Sequence, residues 1–133
     1  MTQSIPRELQ NEINCHVLDY LNDKSAHSDV VDSLIAGAKS LGDVQIYCPD
    51  PAQYRYFVVS TRGVVIAIAL GMDTVAFRLD EPMKARALEC GGALLSECGN
   101  EWVSFTLFQD DWPIVDVEFW ARKAYVAARD ALN

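Results

Sequence analysis

The run from Val64 to Leu70 is apolar at every position: Val64-Val65-Ile66-Ala67-Ile68-Ala69-Leu70. It lies between Tyr54-Arg55-Tyr56-Phe57-Val58-Val59-Ser60 and Thr74-Val75-Ala76-Phe77-Arg78-Leu79, with Thr61-Arg62-Gly63 and Gly71-Met72-Asp73 as the links. β-Branched and aromatic runs separated by glycine-containing turns predict a three-strand meander over 54–79. A strand with one polar face can leave that face in water, but a strand with none must be covered on both sides. The chain therefore needs two apolar layers around its central strand, supplied by its own helices or by a second subunit.

At 133 residues there is material for one domain with a real core, and we expect residues 1–133 to form a single unit. Half of the residues are hydrophobic and 23% are charged, a balance that argues against disorder. The net charge of -8 opposes phosphate backbones, so no nucleic-acid partner is expected. The acids gather early: Glu8, Glu12, Asp19, Asp23, Asp29, Asp32, Asp43 and Asp50 face only Arg7, Lys24 and Lys39. The opening residues lack the basic and apolar regions of a signal peptide, and Val64–Leu70 is too short to span a bilayer as a helix. No membrane partner is expected. Cys15, Cys48, Cys90 and Cys98 have irregular spacings, which fits reduced thiols in a cytoplasm.

Leu9, Ile13, Val17 and Leu21 recur every fourth residue, predicting an amphipathic helix over about 6–21. A second helix, capped by Ser28 or Asp29, carries Val30, Val31, Leu34, Ile35, Ala38 and Leu41 on one face and gives way to Gly42. Val44–Cys48 alternates as a short strand, and Pro49-Asp50-Pro51 stops it. After the meander, Asp80-Glu81-Pro82 marks a helix start, and Cys90-Gly91-Gly92 its end. Leu94 and Leu95 read as anchors of an irregular segment, and Trp102–Phe108 as the last strand. Asp111 before Trp112-Pro113 reads as the cap of a final helix reaching about Ala131, with Val117, Trp120, Ala121, Ala124, Tyr125 and Ala128 as its buried stripe. The expected fold is α+β: two N-terminal helices, a mainly antiparallel sheet of about five strands centred on the meander, and a long C-terminal helix packed on it.

The chemistry-bearing residues form no strong motif. Cys90 and Cys98 are too far apart for a metal knuckle, and Cys15 and His16 are neighbours that point apart on a helix. His16 and His27 are the available bases for a cysteine nucleophile, and neither lies in a recognisable signature. No catalytic residue and no cofactor is expected. Asp110, Asp111, Asp116 and Glu118 cluster at a helix start, where carboxylates could hold Mg²⁺ or Ca²⁺, but there is no calcium-loop spacing and capping with the helix dipole accounts for them. Trp112 beside Pro113 is either an exposed recognition anchor or packed under its loop. Arg55, Arg62 and Arg78 could form an anion patch or salt bridges to the first helices. The interaction candidates are thus Trp112, Arg62, Asp110 and Asp111.

The element order, with Leu41-Gly42-Asp43-Val44, the strand Gly71–Leu79 and the ending Phe119-Trp120-Ala121-Arg122-Lys123-Ala124-Tyr125, resembles the N-terminal domain of TfoX-type competence regulators and the YjbR-like proteins of the frataxin-like fold. Phe57–Gly63, Trp102–Phe105 and Asp110–Pro113 are similar to a bacterial family without an assigned function. Cys48-Pro49-Asp50-Pro51 stands where TfoX-type domains have Phe-Gly-Gly. The resemblance implies the fold and a non-enzymatic chain. The acidic, motif-poor sequence and its two-sided apolar strand then point to a cytoplasmic bacterial interaction or regulatory domain with a protein partner, and a homodimer is one way to cover the second face of the sheet. The alternative is a small-ligand or metal-binding protein using the acidic N-terminal helix. Its metal ligands would be Glu8, Glu12 and Asp19, with Asp23 beside them; the first three share a face if the helix is continuous.

Overall fold

The computed structural model describes residues 6–48, 56–109, 112–113 and 115–132. Its centre is a six-stranded antiparallel sheet in the order β1-β2-β3-β4-β6-β5. The strands are β1 (Gln45–Tyr47), β2 (Phe57–Thr61), β3 (Val64–Leu70), β4 (Thr74–Arg78), β5 (Ala93–Leu94) and β6 (Trp102–Thr106). Four α-helices accompany it: α1 (Cys15–Leu21), α2 (Ser28–Ala38), α3 (Glu81–Glu89) and α4 (Val117–Leu132). This is the expected α+β architecture, with β5 as an added edge strand where an irregular segment was expected.

Local chemistry accounts for the hairpins and caps. Arg62 (φ 50°) and Gly63 (φ 79°) form the two-residue link of β2 and β3, and paired positive φ values match the right-handed twist of the strands they join. Asp80 caps α3 by accepting from the Met83 amide at 3.0 Å, with Pro82 in the first turn as expected. For α2 the cap is His27, one residue ahead of the expected Ser28 or Asp29; its Nδ1 accepts from the Asp29 amide at 3.1 Å.

Every residue of β3 is buried, and the two covering layers come from the chain itself. On one face, Val59, Val64, Ile66, Val75, Phe77 and Val103 meet α2 through Val30 and Leu34, and α4 through Trp120, Ala121 and Ala124. On the other, Val58, Val65, Ile68 and Trp102 meet Leu9, Val17, Leu18 and Leu21 of the N-terminal segment, with Leu95 and Cys98 beside them. The two N-terminal helices are therefore not a pair. They lie on opposite faces of the sheet, because the connector between them crosses at the β3–β4 turn, where the His27 amide donates to Gly71 O at 2.8 Å and Ala26 bridges Gly71. No second subunit is needed to cover this strand.

β3 also departs from simple alternation. Val59 pairs with Ala67 and Ser60 with Val65, so Ile66 is an extra residue, and Ile66 and Ala67 fall in the same core layer. The bulge sends more apolar side chains toward the α2–α4 layer than a regular strand would.

Three helix boundaries differ from expectation, the first being the end of α2, which stops at Ala38 and leaves Leu41 in the following turn, its amide donating to Ala38 O at 3.0 Å. The stretch over 6–21 divides into 3-10 turns at Arg7–Leu9 and Glu12–Asn14 and then α1. Asn11 is extended and its side chain accepts from the Asn14 amide, so the first turns do not merge into one helix. The final helix starts at Val117, not near Asp111: Asp116 Oδ1 accepts from the Phe119 amide at 3.0 Å. Trp112-Pro113 is instead a short strand, β8, paired with β7 (Phe108–Gln109), which also shortens the last long strand of the sheet. The expected stripe on α4 is buried at Val117, Trp120, Ala121, Ala124 and Ala128, with Tyr125 half-buried.

Candidate functional site

One end of the sheet gathers the polar chemistry of the molecule, at the Arg62–Gly63 turn and the C-terminal end of β4. Asn14, completely buried, ties the N-terminal segment to this end. Its Nδ2 donates to Leu9 O at 3.0 Å and to Gly63 O at 2.8 Å, and its Oδ1 accepts from the Val65 amide at 3.0 Å. Asn11 Nδ2 adds bonds to Glu8 O and Gly63 O, both at 3.0 Å. The segment approaches so closely that a Cβ on Gly63 would lie 2.8 Å from Glu8 O.

Arg78 closes β4 at the same end. Its Nε donates to Val65 O at 2.9 Å and its Nη2 to Ile13 O at 3.1 Å. The guanidinium carbon sits 5.1 Å from the ring centroid of Trp102, its partner across the β4–β6 ladder. Burial pulls the Arg78 pKa below its ordinary value, opposed by Glu101 and then Cys98. Among the described residues no carboxylate lies within the 4.0 Å of an ion pair with it. Two of the five N–H groups of the guanidinium are committed. Among the described residues the other three, on a fork held in place from two sides, have no hydrogen-bond partner.

That fork borders a cleft of about 310 Å³. Val64, Leu79 and Ala128, all buried, line it with Ala127, and Ile13 stands at its side, 52% exposed. Asp80 and Glu101 complete the lining. One Asp80 oxygen is engaged as the α3 cap. Glu101 is held at its backbone, where its carbonyl accepts from the Leu79 amide at 2.9 Å. The α4 wall is fixed by Asp43, whose Oδ2 lies 3.1 Å from Arg129 Nη1 and 3.7 Å from Arg62 Nε. A second depression of similar volume lies between α2 and the start of α4, lined by Gly37, Leu107 and Val117 among others. Its carboxylates are occupied: Asp116 caps α4, and Glu118 pairs with Arg122 at 2.9 Å.

The arginines singled out by sequence do not form one patch. Arg62 pairs loosely with Asp43, which it shares with Arg129, and Arg78 reaches the N-terminal segment through a carbonyl, not a carboxylate. Arg55, Asp110, Asp111 and the side chain of Trp112 lie outside the described residues. Glu8, Glu12 and Asp19 are all exposed and fall on three separate elements, so the shared helical face expected of them does not exist. Among the described residues no group of three His, Cys, Asp or Glu side chains could hold a metal. Cys48 and Cys98 are buried, and burial pushes the Cys98 thiol up to about 12, the reverse of what a nucleophile needs.

Asn14, Glu101 and Ile13 were not identifiable as site residues in advance. The one available signal was Asn11 and Asn14 interrupting an otherwise apolar period. No helix among the described residues is long and apolar enough to cross a membrane. Comparison with protein-family models, curated proteins and solved structures finds no match for the chain.

Proposed function

We propose that this chain is a non-enzymatic recognition domain that holds a small amphipathic ligand in the cleft beside Arg78. One observation carries the reading: a half-buried guanidinium, positioned by two carbonyls and an indole, borders a mainly apolar cleft with no carboxylate ion-paired to it among the described residues. Charged groups withdrawn from water are ordinarily paired, and an unpaired one beside a cleft of this size is the pattern of a ligand anchor. Arg78 also braces Ile13 and Val65, and that structural role fixes the fork in advance of binding.

A protein-contact role is the second reading. Ile13, half exposed at the rim, favours it. A partner inserting an apolar side chain would use the same cleft. A homodimer would need another surface, since the sheet face that suggested one is covered. The setting we infer is a bacterial cytoplasm, supported by the resemblance to TfoX-type and YjbR-like domains and by four free thiols.

The test is a thermal-shift screen of small carboxylates, amines and zwitterions against the wild-type chain and Ala127→Phe, which fills the cleft. A ligand at about 100 times its Kd should raise Tm by on the order of 10 °C in the wild type and leave the variant unmoved. A screen without hits, or hits that stabilise both proteins equally, refutes the reading.

A further inference from the structure

The cleft is bipolar. Arg78 lines one side, and Glu101 and Asp80, whose second oxygen is not the one engaged as the α3 cap, line it from the adjoining strand ends. Arg78 ends β4 and Asp80 follows two residues later, while Glu101 is bonded through its backbone to Leu79 between them. The three charges therefore sit around one apolar lobe made by Val64, Leu79, Ala127 and Ala128. Glu101 acts electrostatically on Arg78, but no contact within 4.0 Å joins the two side chains, so neither blocks the other's approach to a ligand.

A ligand complementary to this arrangement carries an anion and a cation on neighbouring atoms, with an uncharged branch beyond. A simple fatty acid would leave Glu101 and Asp80 facing apolar chain, and a simple amine would sit against Arg78. At about 310 Å³ the cleft stands at the small end of ligand sites, which suits a small molecule. The small side chains of Ala127 and Ala128 leave the room that a branched aliphatic group would take.

We infer that the cleft binds a free α-amino acid with an aliphatic side chain, its carboxylate on Arg78, its ammonium on Glu101 and Asp80, and its side chain against Val64, Leu79 and Ala128. This rests on the cleft being the binding site. A peptide is the less suitable occupant, because an internal residue has neither charge and a terminal residue has one.

The experiment titrates four probes into the full ¹⁵N-labelled chain: L-leucine, L-leucinamide, 4-methylpentanoate and 3-methylbutylamine. Leucine should move the amide signals of Arg78, Leu79, Ala127 and Ala128 saturably, and each probe lacking one charge should bind roughly ten-fold more weakly or worse. Glu101→Gln, an exposed position whose side chain makes no hydrogen bond within the described residues, should weaken leucine by a similar factor and leave 4-methylpentanoate unchanged. If 4-methylpentanoate binds as tightly as leucine, or Glu101→Gln has no effect on leucine, the amino-acid inference falls and the cleft stands as an anion site. If no probe moves these signals while another small ligand does, the inference again falls alone. If nothing moves them, the binding site itself is refuted.

Discussion

Replacing Asn14 by alanine tests whether a few buried hydrogen bonds hold the N-terminal layer on the sheet. The side chain satisfies the Val65 amide, Leu9 O and Gly63 O from a completely buried position. Alanine leaves the Val65 donor without this partner, at about 1–3 kcal/mol, whereas Leu9 O keeps its bond from the Asn11 amide at 3.0 Å and its loss adds little. Gly63 O keeps its bond from Asn11 Nδ2, so its loss adds little. The sum is about 1–4 kcal/mol, against a total stability for such a domain of about 5–15 kcal/mol. In urea, followed by tryptophan fluorescence, the midpoint should fall by on the order of 2 M at unchanged slope. Asn14→Asp should be at least as damaging at neutral pH, because a carboxylate oxygen then faces two carbonyls. It should regain stability as pH falls and that oxygen is protonated. A loss below about 1 kcal/mol in Asn14→Ala would refute the claim that this network carries the layer.

At Gly63, with φ 79° and Glu8 O 2.8 Å from the site of a Cβ, alanine should cost about 2–4 kcal/mol, whereas Gly91→Ala, at φ 98° with open space around it, should cost about 1 kcal/mol; equal losses by urea titration would refute the close approach. Burial raises the Cys98 thiol from 9.0 to about 12, so the folded state keeps its proton longer than the unfolded one; the stabilising effect is complete below about pH 9 and is lost as pH rises toward 12. Cys98→Ala should flatten this alkaline decline in the urea midpoint, leaving the smaller part from Tyr20 and Tyr47, which burial also raises. Cys15 and Cys90, both exposed, should react with a thiol reagent in the native protein, and Cys48 and Cys98 should react on unfolding.

Most of the sheet was legible because its signals are local. Gly63 and Gly71 mark turns that need positive φ, Asp80-Glu81-Pro82 is a self-contained cap, and the period of α4 runs unbroken from Val117 to Ala128. The failures came where a distant partner decided the local structure. Ile13 lies in register with Leu9 and Val17 on a helical wheel, yet it is 52% exposed, because the extended Asn11 interrupts the helix while Asn14 bonds a hairpin turn about fifty residues away. Two cap signals, Asp111 and Asp116, competed for α4; pairing of Trp112-Pro113 with Phe108-Gln109 decided for the second. The Ile66 bulge is invisible in a strand with no polar residue to mark its phase. Of the cleft, Arg78 alone was legible, as a charge in an apolar strand. Glu101 and Ala127 reach it only through the β4–β6 pairing and the docking of α4.

The most direct test of the central claim is a methyl-resolved NMR screen that follows Val64, Leu79, Ala127 and Ala128 at the cleft, with Val30 and Leu34 as a core reference. The account predicts that every small ligand that raises the thermal stability moves the four cleft methyl groups together and leaves the reference groups still. Stabilising ligands that move only signals elsewhere, such as Val117 and Leu107 at the α2–α4 depression, would contradict it.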